Sequence, residues 1–391
     1  MSLLINTLLR KPILNTLRFH FPCRMIQLTQ VQQLYAPAVL GIDGYLNSRK
    51  KVKEQFANFD DKFRTKMTEF VEDSKNLIFT EDLKNMVHIA EPSDLELCLK
   101  MIKKFNTQTS EYRFGSFVFG PVVMRMFHFL DAPNEALQCF EDPANVNFFD
   151  QLVTYQVLLD LLYSHQMYDE MYRVFEKVKD KQINMTKYPK YPVVLILAAC
   201  YKQNSPQSME YASKLWTEMN KTGSVPLRRA CTFFAALALK QGAPHIALES
   251  VSNQKPHYVT IRNIKAVALA RMGRVDDTIP ILRAVLEIDS PQQKDKHTFF
   301  EETVIVKEAV EKSDNNDVKK EFDDIHKALA DRNLIDSKQV CVDRFSSAAV
   351  TLPMILHGSS ESKLNNACTM TIIILIHTRV LLTDDSRDYD F

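Results

Sequence analysis

Six basic residues, Arg228, Arg229, Arg262, Lys265, Arg271 and Arg274, gather between positions 228 and 274. Guanidinium forks and ammonium groups are the side chains that hold phosphate oxygens. They belong to a longer excess: from Arg173 to Arg283 there are 18 Lys plus Arg against 7 Asp plus Glu, a surplus of eleven positive charges. Arg262 and Lys265 are three apart and share one side of a helix, which makes them the preferred phosphate contacts. A local field of this kind is what the backbone of a single-stranded nucleic acid requires of its binder.

Catalytic chemistry finds no such support. Gly115 and Gly120 have the spacing of a phosphate-binding loop, but Pro121 and Val122 stand where lysine and a hydroxyl residue would have to be. There is no H-E-x-x-H and no G-x-S-x-G, and the ten histidines include no pair at i, i+4. Asp384, Asp385, Asp388 and Asp390 crowd the C-terminus without a strand-helix frame to aim them at a metal, so they read as a solvated tail. Seven cysteines with no C-x-x-C argue against a disulfide framework or a zinc ribbon, and only eight glycines argue against an open α/β enzyme. The chain is therefore expected to be non-catalytic, with no cofactor and no bound metal.

The elements that carry the basic stretch are helical. Between residues 50 and 335, apolar residues recur at helical spacing in segments of about a dozen residues, divided by Pro, Asn, Ser or Gly. The segments repeat. Phe140, Phe175, Trp216, Val251 and Leu282 mark successive second helices, at intervals of 35, 41, 35 and 31 residues. Helix pairs of this kind bury one face on the next pair, which predicts an all-α solenoid. Tyr155, Leu158, Leu162, Phe175 and Val178 fall on the buried faces, and the single tryptophan and the tyrosines are expected to be plain core.

The best-formed unit runs V-T-Y-Q-V-L-L-D-L-L from Val153 to Leu162, then Y-D-E-M-Y-R-V-F-E-K-V-K-D-K-Q-I from Tyr168 to Ile183. It resembles the pentatricopeptide repeat, with its V-T-Y-N-x-L-I first helix and D-E-A-x-x-L-F second helix. Similar units begin near Tyr191, with an insertion around Asn204, Ser205 and Pro206, at Thr232 and at Thr260. A degenerate unit leads at Phe117 to Phe140, and a weaker one spans Glu81 to Phe105.

The resemblance implies an α-solenoid of degenerate helix-turn-helix repeats whose first helices line a groove for single-stranded RNA, about one nucleotide per repeat. A polar residue early in the first helix would read the base edge, with help from the residue before the next repeat. Carried over by position, these are Gln156 with Thr186, then Thr232, then Asn263. Arg228, Arg229, Arg262 and Lys265 would hold phosphates. Val194 and Pro121 occupy the same place in two other units and cannot bond a base edge through a side chain, so no base-by-base code follows.

The ends differ from the middle. Residues 1–42 hold Arg10, Lys11, Arg18 and Arg24 and no acid, while Leu3, Leu4, Leu8, Leu9, Leu14 and Leu17 supply an apolar face. Acid-free and amphipathic, the segment reads as a mitochondrial presequence, cleaved between about Arg24 and Leu40. The expected organisation is a presequence at 1–35, a helical segment at 36–110, the repeat array at 111–290, capping helices at 291–335 and an atypical tail at 336–391. Asn47 to Lys66 is expected to be one surface helix. Lys296 to Val310 and Asp317 to Leu329 are expected to be two more. Met370 to Ile376 is too short to span a membrane.

Two functions fit this reading. One is a mitochondrial matrix protein that binds single-stranded mitochondrial RNA and supports maturation of messenger RNA, hence the respiratory chain, with cutting left to a separate nuclease. The other is a helical-repeat scaffold that holds protein, such as a ribosome-associated subunit among ribosomal proteins.

Overall fold

In the computed structural model the residues described are 34–57, 59–108, 117–255, 258–288, 299–300, 303–313, 315–332 and 335–336. Residues 1–33, Gly115 and the tail from 337 lie outside them. The described chain is all-α. It opens with α1 (Pro37–Leu40), α2 (Ile42–Phe56), α3 (Asp60–Glu72), α4 (Thr80–Ile89) and α5 (Leu95–Thr107). Five helix pairs follow: α6 (Gly120–Phe129) with α7 (Pro133–Glu141), α8 (Leu152–Ser164) with α9 (Tyr168–Lys181), α10 (Lys190–Gln203) with α11 (Pro206–Lys221), α12 (Arg228–Lys240) with α13 (Pro244–Ser250), and α14 (Val259–Arg271) with α15 (Val275–Ile288). Helices α16 (Thr303–Lys312) and α17 (Asn316–Asp331) close the array. A two-residue parallel pairing of β1 (Phe299–Phe300) with β2 (Ile335–Asp336) stands beside them.

The two helices of a pair are built differently. In α8 every residue from Thr154 to Tyr163 is buried, and in α10 every residue from Pro192 to Tyr201. Such helices are apolar on most sides because they are packed on most sides: α10 touches α8, α9, α11 and α12. The second helix α9 instead buries a single stripe, Met171, Val174, Phe175 and Val178, and turns its charged residues outward. Proline at the first turn of α7, α11 and α13 starts three of the second helices, where its missing N–H costs no bond.

The core passes from pair to pair through the first helices. Phe233, Phe234 and Leu237 of α12 join the apolar cluster upstream, while Cys231, Ala235 and Ala238 of the same helix join the one downstream. In α14, Ile264, Val267 and Ala268 face upstream, and Ala266 and Ala270 pack with α15, α16 and α17. Each unit thus completes its neighbour's core, as the repeat reading requires.

Several sequence expectations change in detail. Asn47 to Lys66 is not one surface helix: α2 ends at Phe56 and α3 begins at Asp60, and α2 packs on α4 and α6 while α3 packs on α5. There is no insertion around Asn204 to Pro206. Asn204 ends α10 in a left-handed turn, Ser205 caps α11 by accepting from the Ser208 amide, and Pro206 is the first helical residue. The uneven repeat length comes from the second helices. First helices of the five pairs start 32, 38, 38 and 31 residues apart, and the short intervals contain the 9-residue α7 and the 7-residue α13. Of the helix expected from Lys296, the described part is α16, Thr303–Lys312; Lys296 itself lies outside the described residues. Phe175 is fully buried as expected, whereas Trp216 is only partly so; it stacks on Phe234 with ring centroids 4.6 Å apart.

Cys98, Cys139, Cys200 and Cys231 are all free and buried. Burial pushes the thiols of Cys98, Cys200 and Cys231 up to about 12 and that of Cys139 higher still, so none forms a thiolate near neutral pH. Peptide mapping after brief exposure of the folded protein to iodoacetamide should leave these four unmodified, and all four should react once the chain is unfolded in denaturant. Rapid labelling of Cys200 in the native protein would contradict the packing of α10.

Candidate nucleic-acid interface

The first helices α6, α8, α10, α12 and α14 touch in succession and make one continuous row. The sequence-predicted residues lie on or beside it, in two different states. Gln156, Thr232, Arg262 and Asn263 are buried. The Thr232 hydroxyl donates back to the Arg229 carbonyl at 2.8 Å, within its own helix. Arg262 and Asn263 are each engaged with partners. The side-chain amide nitrogen of Gln156 is buried without a hydrogen bond, so this residue carries an unused donor. Thr186 stands apart from them on the link between α9 and α10, half-buried, donating to the Asn184 carbonyl at 3.2 Å.

The basic residues fall into two groups as well. Arg228, Arg229 and Lys265 are half-exposed. The Arg228 guanidinium lies 3.9 Å from the centroid of the Tyr258 ring, and Lys240 reaches 3.7 Å from that of Tyr201. A cation beside a ring in this way is held in place at the ring face. Partial burial lowers the Lys265 ammonium from its ordinary pKa. Arg271 and Arg274 serve the fold instead: Arg271 donates to the Leu239 carbonyl near the end of α12, and Arg274 pairs with Asp277 at 2.6 Å.

Two residues on or against the row were given no site role by the sequence. Tyr35, counted there with the presequence, is buried against the repeats. Its hydroxyl donates to the Tyr191 carbonyl at 3.3 Å, its ring meets that of Tyr191 edge-on at 5.8 Å, and the Arg229 guanidinium lies 5.9 Å from its centroid. Burial raises its phenol well above the usual range, Arg229 opposes that shift, and the negative charge of Asp160 adds to it. Tyr35 therefore bridges α10 and α12. Asp160 is fully buried, bonded through Oδ2 to His128 Nε2 at 3.1 Å, with Oδ1 unpaired. It stands four residues after Gln156, on the same side of α8. An acid inside an otherwise apolar first helix was the available signal for it. For Tyr35 there was none, because the contact joins residues 156 apart.

Gly120, which the sequence already excludes from a phosphate-binding loop, has a packing role. It opens α6, and a Cβ there would fall 2.2 Å from Gln151 Oε1 and 2.7 Å from the Phe148 carbonyl oxygen. Its glycine is a matter of close packing.

A row of two-sided first helices, each backed by an amphipathic partner, defines a helical-repeat protein. Comparison with known proteins points the same way. The chain resembles pentatricopeptide repeat-containing protein 2, mitochondrial: it is 27% identical to that of Homo sapiens over 255 residues, which is 65% of each chain. To that of Danio rerio it is 25% identical over 264 residues, 66% of this chain and 67% of the relative. To that of Xenopus laevis it is 29% identical over 166 residues, 42% of this chain and 43% of the relative. The chain thus matches somewhat less than two thirds of the human relative's length. No family model matches it.

Proposed function

We propose that the chain is a mitochondrial RNA-binding repeat protein. It acts in the matrix, holds single-stranded RNA along the first-helix row, and supports transcript maturation and so the respiratory chain, while a separate nuclease cuts. The protein itself is not catalytic. The observation that carries this reading is the pair of half-exposed cations at the start of α12, Arg228 beside the Tyr258 ring and Arg229 beside that of Tyr35, with Lys265 half-exposed on α14. Cations held along a groove suit single strands, because the phosphate backbone is engaged without regard to sequence. The name shared by the relatives supports the compartment.

A scaffold for protein, such as a ribosome-associated subunit, is the second reading. It is favoured by the burial of Gln156, Thr232, Arg262 and Asn263, which leaves little polar surface for reading bases. Crosslinking in mitochondria followed by sequencing of the bound RNA separates the two. RNA binding predicts a short transcript region that is lost when Arg228 and Arg229 are changed to Gln. Recovery of protein partners alone, unaffected by nuclease, would overturn it in favour of the scaffold.

A further inference from the structure

A second cationic site lies away from Arg228 and Arg229, where α6 meets α2 and α4. Between α2, α4 and α6 is a cavity of about 510 Å³, lined by Lys51, Lys84 and Arg125 among the polar residues and by Val52, Phe117 and Val122 among the apolar ones. Among the described residues its lining includes no aspartate or glutamate.

Arg125 is set into the wall by its surroundings. Its Nε donates to the Leu40 carbonyl at 2.8 Å. Gly41 lets it lie there: a Cβ on Gly41 would fall 2.7 Å from Nη2, and its φ of +70° is one that residues with side chains rarely adopt. The guanidinium is half-buried, and burial lowers its pKa. Among the described residues it has no carboxylate partner. A cation desolvated in this way is costly unless an anion joins it. Lys51 is exposed and also has no acidic partner among the described residues. Lys84 pairs with Glu81 at 3.4 Å, and Glu81 is largely exposed, outside the cavity lining. Lys84 Nζ also stands 5.5 Å from the centroid of the Phe117 ring, a partly exposed face at the cavity edge.

We propose that this cavity binds a phosphate monoester with a ring-bearing body, of the class of a nucleoside 5′-monophosphate, either free or as the 5′ end of an RNA. Three cations with no acid among the described lining residues match a dianion better than a carboxylate, and the Arg125 fork matches two phosphate oxygens at once. The volume is that of a small-molecule site, and Phe117, Val52 and Val122 offer an apolar wall to the body of the ligand. The site shares no residue with Arg228 or Arg229 and does not rest on RNA binding by the first-helix row.

Titration of the full-length protein with UMP, uridine and inorganic phosphate, followed by calorimetry, tests it. UMP should bind and uridine should not. Arg125→Lys, which keeps a donor for Leu40, and Lys51→Gln, at an exposed position, should each weaken UMP by roughly tenfold, as loss of a hydrogen bond to a charged group does. Lys51→Gln keeps the test sound if the Arg125 variant folds poorly. Equal binding of UMP and uridine, no binding of UMP, or full affinity in Lys51→Gln would each overturn the proposal. Competition with short RNAs bearing a 5′-phosphate or a 5′-hydroxyl identifies the source. Displacement of UMP only by the phosphorylated RNA supports the site with an RNA end as its ligand, and displacement by neither supports it with a free nucleotide. The Arg228→Gln, Arg229→Gln double variant should bind UMP normally, so this site and the row can fail separately.

Discussion

Truncation of Phe175 to Ala is expected to cost about 3–5 kcal/mol of folding free energy, the usual range for a fully buried aromatic. Phe175 is completely inaccessible, in the middle of the apolar stripe of α9. Its loss removes both the transferred surface and the contacts of the atoms left around the cavity. The neighbours cannot easily collapse, because α8 is already packed against α6, α7, α9 and α10. Trp216→Ala is the internal comparison. That ring is only partly buried, with one face on Phe234, so its truncation should cost distinctly less. Urea unfolding followed by circular dichroism at 222 nm measures both. In a repeat array a local defect can also split the transition, so the slope is to be checked along with the midpoint. A cost below about 1 kcal/mol for Phe175→Ala would mean that α9 is not held as described.

The second large effect concerns salt. If about five phosphates are neutralised along the first-helix row, the slope of log affinity against log salt for single-stranded RNA should be about −3.5, and affinity should fall about 100-fold between about 50 and 200 mM salt. Arg228 and Arg229 are the best placed contributors, being half-exposed and adjacent on α12. Changing both to Gln should flatten the slope by about 1.4. Arg271 and Arg274 supply the contrast. Their guanidinium groups are committed to the Leu239 carbonyl and to Asp277, so Arg274→Gln should leave the slope nearly unchanged. Filter binding at four salt concentrations suffices. A slope near zero in the wild-type protein would remove the electrostatic basis of the proposed function.

The fold was legible where local pattern decides it. The all-buried first helix around Tyr155 and the striped second helix around Phe175 are both written in residue spacing. The pairs were located within a few residues from Thr80 to Ile288. What failed was register that depends on neighbours. Trp216 looked like the counterpart of Phe175 because it is large, yet Ala212 and Leu215 fill the buried stripe of α11. The interval of 41 was a consequence of choosing the wrong anchor. The site was legible only as charge. A count of arginines cannot separate Arg228, stacked on a ring, from Arg271, bonded to a helix end. Nor can it show that Asn263 and Arg262 are buried, since that depends on how α14 is packed. His128 with Asp160, and Tyr35 with Tyr191, are meetings of residues far apart in the chain.

If the chain is imported with a cleaved presequence, as the proposed function implies, Tyr35 bears on how the precursor would mature. Composition changes at the first acid, Asp43, but burial and the hydrogen bond to the Tyr191 carbonyl make Tyr35 part of the folded body. A processing peptidase that cuts upstream of Leu34 leaves this clasp in place. A cut in the few residues after Tyr35 removes it, leaves the Tyr191 carbonyl without its phenol and uncovers the ground next to Arg229. One peptide bond would then decide whether that stretch of the first-helix row is covered or open to a ligand. The mature N-terminus, read by mass spectrometry, would say which form the organelle keeps.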